Sequence, residues 1–181
     1  MRLFIAIDIP QDLKDVLSRL LLKLKKSDVD AKWVLTQNLH LSLKFLGEVD
    51  EAKIKNIEEI LDSAGKQFSS LELNFEKFGF FPDEKRPRVF FVATDKEEEL
   101  KKIYSFLEDN LQKLDFVKEE RFKSHITLAR FRSQRNTEAL KKQIESIAIK
   151  GKFQANEITL FKSILKPQGP TYEKIASVLL K

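Results

Sequence analysis

The chain has no cysteine, which excludes disulfides, thiol catalysis and cysteine-ligated zinc. Histidine is nearly as scarce, with two among 181 residues. A metal site would therefore fall to carboxylates, and no suitable carboxylate cluster is visible, so neither metal nor cofactor is expected. Tryptophan occurs once and tyrosine twice against fifteen phenylalanines, most of which are expected in a core. Long apolar runs are missing too. The amino-terminal stretch Met1-Arg2-Leu3-Phe4-Ile5-Ala6-Ile7-Asp8 is too short for a signal peptide or a membrane span. A cytoplasmic location is the expectation.

What is present describes a globular chain: 42% hydrophobic and 34% charged residues, enough at this length to bury a real core. A net charge of +5 suits a nucleic-acid or phosphate ligand. It suits equally the lysine- and glutamate-rich surface of a heat-adapted protein. Charge alone does not choose between them.

Hydrophobic periodicity lays out the elements. Arg2 to Asp8 reads as a buried strand stopped at Pro10, and Gln11 to Lys26 as an amphipathic helix carrying Leu13, Val16, Leu17, Leu20, Leu21 and Leu24. A short strand from Ala31 to Thr36 and a strand from His40 to Phe45 follow, then a helix from Ala52 to Phe68 and a strand from Leu71 to Phe75. The segment Lys77 to Arg88, rich in turn residues, aromatics and bases, reads as a loop. The order then begins again. Val89 to Thr94 is a strand, Lys96 to Leu114 a helix and the stretch at His125 a strand. Thr137 to Ile147 is a helix, Lys152 to Phe161 a strand and Glu173 to Leu179 the last strand. Strand, helix, histidine strand, helix, strand thus occurs twice, over residues 1–76 and 88–162, an internal duplication. The expected fold is α+β, one domain over 1–181 with two pseudo-symmetric lobes. Each lobe is a mainly antiparallel sheet with helices on its outer face, and a central cleft lies between them.

Both histidines sit in matching tetrapeptides, His40-Leu41-Ser42-Leu43 and His125-Ile126-Thr127-Leu128. On a strand, residues i and i+2 share a face, so each tetrapeptide presents an imidazole beside a hydroxyl while aliphatics anchor the other face. A lone histidine on an apolar strand is usually structural; two, being the only two and in register with hydroxyls, point to chemistry. Imidazole titrates near neutrality and serves as acid or base. Two of them flanking a phosphodiester permit in-line displacement, with the hydroxyls donating to the non-bridging oxygens.

The paired motifs resemble the 2H phosphoesterase superfamily, and within it the RNA 2′,3′-cyclic phosphodiesterases, also called 2′-5′ RNA ligases. Further matching stretches are Met1 to Asp8, Asn38 to Val49, Pro87 to Phe90, His125 to Arg130 and Gly169-Pro170-Thr171-Tyr172. They run in order along almost the whole chain. The resemblance implies opening of a terminal 2′,3′-cyclic phosphate to a 2′-phosphate, with RNA as partner. It implies His40 as the proton donor to the leaving 3′ oxygen, His125 as the proton acceptor from water, and Ser42 and Thr127 on the phosphate. Ser42 stands where the family more often has threonine. Arg130 matches a basic residue of the family, though strict alternation from His125 puts it on the wrong face unless a bulge intervenes. Phe80, Arg88 and Tyr172 are candidate RNA contacts, and a monomer is expected. Three other readings stay open: 2′-5′ RNA joining at the same site, hydrolysis of small cyclic phosphates, and a non-enzymatic module that binds RNA ends.

Overall fold

The computed structural model describes residues 1–181. Nine strands and four α-helices follow the chain. β1 (Arg2–Asp8), α1 (Gln11–Leu24), β2 (Ala31–Trp33), β3 (His40–Glu48) and α2 (Ile54–Gln67) come first, then β4 (Leu71–Phe81). β5 (Val89–Thr94), α3 (Glu97–Leu111), β6 (His125–Phe131), α4 (Thr137–Glu145), β7 (Lys152–Ala155), β8 (Glu157–Ile164) and β9 (Thr171–Leu179) complete it. The strands form one antiparallel sheet in the order β7-β4-β5-β6-β3-β1-β8-β9, and β2 also pairs with β6. The two histidine strands lie side by side at its centre.

The helices form where apolar residues recur at helical spacing. Leu13, Leu17, Leu21 and Leu24 of α1, Ile57, Leu61 and Ala64 of α2, and Leu100, Ile103, Leu107 and Leu111 of α3 are buried. Glu97, Glu98 and Glu99 fill the first turn of α3, where the helix dipole favours negative charge. All three helices join one core with Leu3, Ile5 and Ile7 of β1, Leu41 and Leu43 of β3, and Ile126 and Leu128 of β6. The alternate residues of β1, Phe4 and Ala6, face the other way and form a small separate cluster with Phe161 and Tyr172. The sheet therefore buries one face under helices and offers the other as a cleft. α2 packs close to β9 at Gly65, where a Cβ would lie 2.6 Å from the Leu179 carbonyl oxygen. No helix is long and apolar enough to cross a membrane.

Three sequence expectations change. The Lys77–Arg88 segment is not all loop, because β4 continues through Phe81 against β5. Phe78 and Phe80 alternate onto the core face, their ring centroids 5.4 and 5.3 Å from that of Phe90. The strand expected over Lys152 to Phe161 is two strands on different parts of the sheet, β7 against β4 and β8 against β1. The lobes also exchange their third strands. β4 of the first repeat pairs with β5 of the second, while β8 of the second pairs with β1 of the first.

Candidate active site

β3 meets β6 in a single antiparallel bridge, Leu41 to Ile126. Antiparallel partners step in opposite directions from such a bridge, so His40 stands opposite Thr127 and Ser42 opposite His125. Leu41 and Ile126 are fully buried on the helix side. The four polar residues consequently share the cleft face, with histidines at one pair of opposite corners and hydroxyls at the other. Diagonal neighbours on one face of an antiparallel pair lie about 7–8 Å apart. That leaves a gap suited to one tetrahedral group between the imidazoles.

Both histidines are held in the same way. Nδ1 of His40 donates to the carbonyl oxygen of Asn38 at 2.7 Å, and Nδ1 of His125 donates to that of Lys123 at 2.7 Å. Each acceptor lies two residues before its histidine. Tying down Nδ1–H selects the tautomer whose Nε2 lone pair faces the cleft. At His40, the Ser42 hydroxyl occupies that lone pair at 2.9 Å. Asn38 is itself buried, its side-chain amide donating to the Pro170 carbonyl oxygen at 2.6 Å. Aromatic rings wall both imidazoles. Phe4 and Tyr172 stand 4.9 and 5.4 Å from His40, and Phe81 and Phe91 stand 4.9 and 5.4 Å from His125.

This apolar enclosure sets the electrostatics. Burial lowers the pKa of His40 to about 4, outweighing the hydrogen bond to Asn38 and the attraction of Asp8. Burial lowers that of His125 as well, assisted by the charges of Arg130 and Lys123 and opposed by its bond to the Lys123 carbonyl. Both rings are neutral in the free protein at neutral pH.

A bulge brings Arg130 into the site. Phe90 of β5 pairs with Ala129 of β6, but Phe91 pairs with Thr127, so Leu128 is an extra residue and alternation restarts after it. β3 has the same irregularity, with Ile5 paired to Lys44 and Ala6 to Ser42, leaving Leu43 extra. In both strands the bulge falls three residues after the histidine. It turns the residue two further on, Phe45 in one lobe and Arg130 in the other, toward the cleft. His40, Ser42, Phe45, Thr127, Arg130 and Tyr172 all line one cavity of about 180 Å³, together with Lys32, Trp33 and the 168–170 turn.

Two candidate RNA contacts lie elsewhere. Phe80 is buried in the core, because the extended β4 points it at Phe90 and Phe131, and its neighbour Phe81 faces His125 instead. Arg88 is exposed just before β5 and lines no part of the cavity; its backbone bonds to Phe81 and Phe131 fix it there. Sequence reading missed Asn38, Phe4, Phe91 and Phe45. The one signal for Asn38 was its place two residues before the histidine, matched by Lys123.

Fold and site together define an α+β phosphoesterase built from two pseudo-symmetric lobes. The chain belongs to the LigT-like phosphoesterase family, whose profile matches it twice, over residues 7–91 and 92–172. The two matches fit a chain of two lobes. The chain is 36% identical to the RNA 2′,3′-cyclic phosphodiesterase of Thermotoga maritima over 174 residues, which cover 96% of this chain and 92% of that one. It is 34% identical to the protein of the same name from Methanocaldococcus jannaschii over 177 residues, 97% and 98% of the two chains. Among solved structures it resembles TT0787 of Thermus thermophilus, with a TM-score of 0.81, 25% identity and coverage of 99% and 98%. In fold it also resembles Escherichia coli LigT complexed with 3′-AMP, with a TM-score of 0.77, 24% identity and coverage of 99% and 97%.

Proposed function

We propose that the protein opens the 2′,3′-cyclic phosphate at an RNA end to a 2′-phosphate, by two-histidine acid–base catalysis without a metal ion. The observation that carries this reading is the diagonal quartet, His40 and His125 across one strand pair with Ser42 and Thr127 at the remaining corners. The names of the relatives supply the substrate class.

His125 keeps Nδ1–H on the Lys123 carbonyl, so its Nε2 lone pair can take a proton from water as the water oxygen attacks phosphorus. The P–O3′ bond breaks, its electrons go to the 3′ oxygen, and His40 Nε2–H protonates that oxygen. The phosphate stays on the 2′ oxygen. Thr127, Ser42 and Arg130 donate to the non-bridging oxygens, where charge builds in the transition state. The acid, the base and the anion donors are then all side chains of one chain, so a monomer suffices.

His40 must carry a proton to act as the acid, although burial holds its pKa near 4 in the free protein. The substrate supplies the correction. A phosphate charge about 4 Å away contributes about 4 kcal/mol at an effective dielectric of about 20, which lifts the imidazole by about 3 pKa units. His40 then titrates near neutrality in the complex. The test is to incubate an RNA ending in a 2′,3′-cyclic phosphate with the protein in EDTA and read the end group by phosphorus NMR. A 2′-phosphate is expected. A 3′-phosphate would reverse the geometry of attack, and an intact cyclic end would remove the function.

A further inference from the structure

The cleft does not end at the cavity that holds His40. A second cavity, about 450 Å³ against about 180 Å³, opens beside it and shares Phe45, Arg130, Pro170 and Tyr172 with it. The residue that gives this second space its chemistry is Arg2, at the start of β1. It stands four residues before Ala6, the partner of Ser42, and so about 13 Å along the strand from the histidine quartet. That separation keeps it off the reacting phosphate. Its cross-strand neighbour Glu48 is engaged by the amino terminus, at 3.5 Å. None of the ion pairs in the structure takes Arg2 or Arg130.

Two guanidinium groups without carboxylates therefore line one continuous groove, Arg130 where the cavities meet and Arg2 at the far end. The apolar rings of Phe45 and Tyr172 lie along it. A planar, permanently charged fork suits a phosphate in two-pronged contact. Resting on the cyclic-phosphate reading above, we propose that Arg2 binds a second phosphate, the one on the 5′ oxygen of the terminal nucleoside. In RNA that group is the last internucleotide link. The groove would then prefer a chain end over a bare cyclic nucleoside.

Four substrates test this: a nucleoside 2′,3′-cyclic phosphate, its 5′-phosphorylated form, the dinucleotide with the same cyclic end, and that dinucleotide with an uncharged methylphosphonate link. The expected result is a kcat/KM roughly tenfold higher for the two charged at the 5′ oxygen than for the two uncharged, the low end for hydrogen bonds to a charged group. In Arg2→Gln that ratio should collapse toward one. The slope of log kcat/KM against log salt for the dinucleotide should become shallower by about one. A gain for the dinucleotide as large as for the 5′-phosphate supports the site and assigns it to RNA; a gain for the 5′-phosphate alone supports the anion site and assigns it to mononucleotides. Equal rates for the charged and uncharged members of both pairs, with normal turnover of all four, would overturn the inference alone. An undiminished ratio in Arg2→Gln would also overturn it. Turnover of none of the four would remove the cyclic-phosphate reading itself and this inference with it.

Discussion

Protonating His40 in the free protein should take acid well below its ordinary range, and a phosphate in the cleft should reverse that. The gap between an ordinary imidazole at 6.5 and His40 at about 4 corresponds to about 3 kcal/mol. Between those pH values the unfolded chain binds a proton at this position that the native protein does not. Stability therefore falls as pH drops from about 6.5 toward 4, by up to about 3 kcal/mol from His40, and the lowered pKa of His125 acts with the same sign. The chain has only two histidines, so two imidazole Cε1–H signals report the whole titration by proton NMR. His40→Ala assigns them. In the free protein the His40 signal should titrate near pH 4. With a nucleoside 2′-phosphate bound it should move up by about 3 units, the size of the Coulomb contribution worked out above. A His40 signal titrating near 6.5 without ligand would refute the burial argument. A signal that stays near 4 when ligand is bound would refute its use as an acid.

Three further perturbations follow from the packing. Lys44 and Glu108 form a buried ion pair at 2.9 Å, with side chains 3% and 1% exposed, so Lys44→Met alone should cost about 3–5 kcal/mol in urea unfolding. Lys44→Met with Glu108→Leu should recover much of that, and a near-neutral single variant would show the pair is not desolvated. A Cβ on Gly79 would overlap the ring of Phe91, which walls His125. Gly79→Ala should therefore lose about 1–3 kcal/mol of stability and also lower kcat; unchanged kcat would mean that Phe91 does not position the imidazole. Arg130→Ala should lower kcat/KM on the order of 10²-fold, with partial recovery in Arg130→Lys. Full activity would mean the bulge at Leu128 turns it toward the cavity without using it.

The parts of this fold that could be read from sequence are those governed by local periodicity. Leu13, Leu17, Leu21 and Leu24 announced α1, and the alternation His40-Leu41-Ser42 announced which groups share a face. The side on which Arg130 lies stayed open in the sequence: Leu128 and Ala129 break the alternation of β6, but only the pairing of β5 with β6 shows that the break is a bulge. Phe80 and Phe81 were hidden for a related reason. Gly79, Pro82 and the bases around them look like a turn, and only pairing with β5 extends the strand and sends Phe80 inward and Phe81 toward His125. The exchange of β4 and β8 between lobes joins residues far apart in sequence, so local pattern carries no information about it. The aromatic walls that depress the histidine pKa values come from β1, β4, β5 and β9, and they too appear only once the sheet is assembled.

The central claim is that His40 and His125 act as one unit on one phosphate. Single-turnover rates on an RNA with a 2′,3′-cyclic end, measured for His40→Ala, His125→Ala and the double variant, address it. Each single change should cost on the order of 10²-fold or more, and the double should lose little more than either, as groups that act together do. Losses that multiply in the double variant, or a single variant with near-normal turnover, would contradict it.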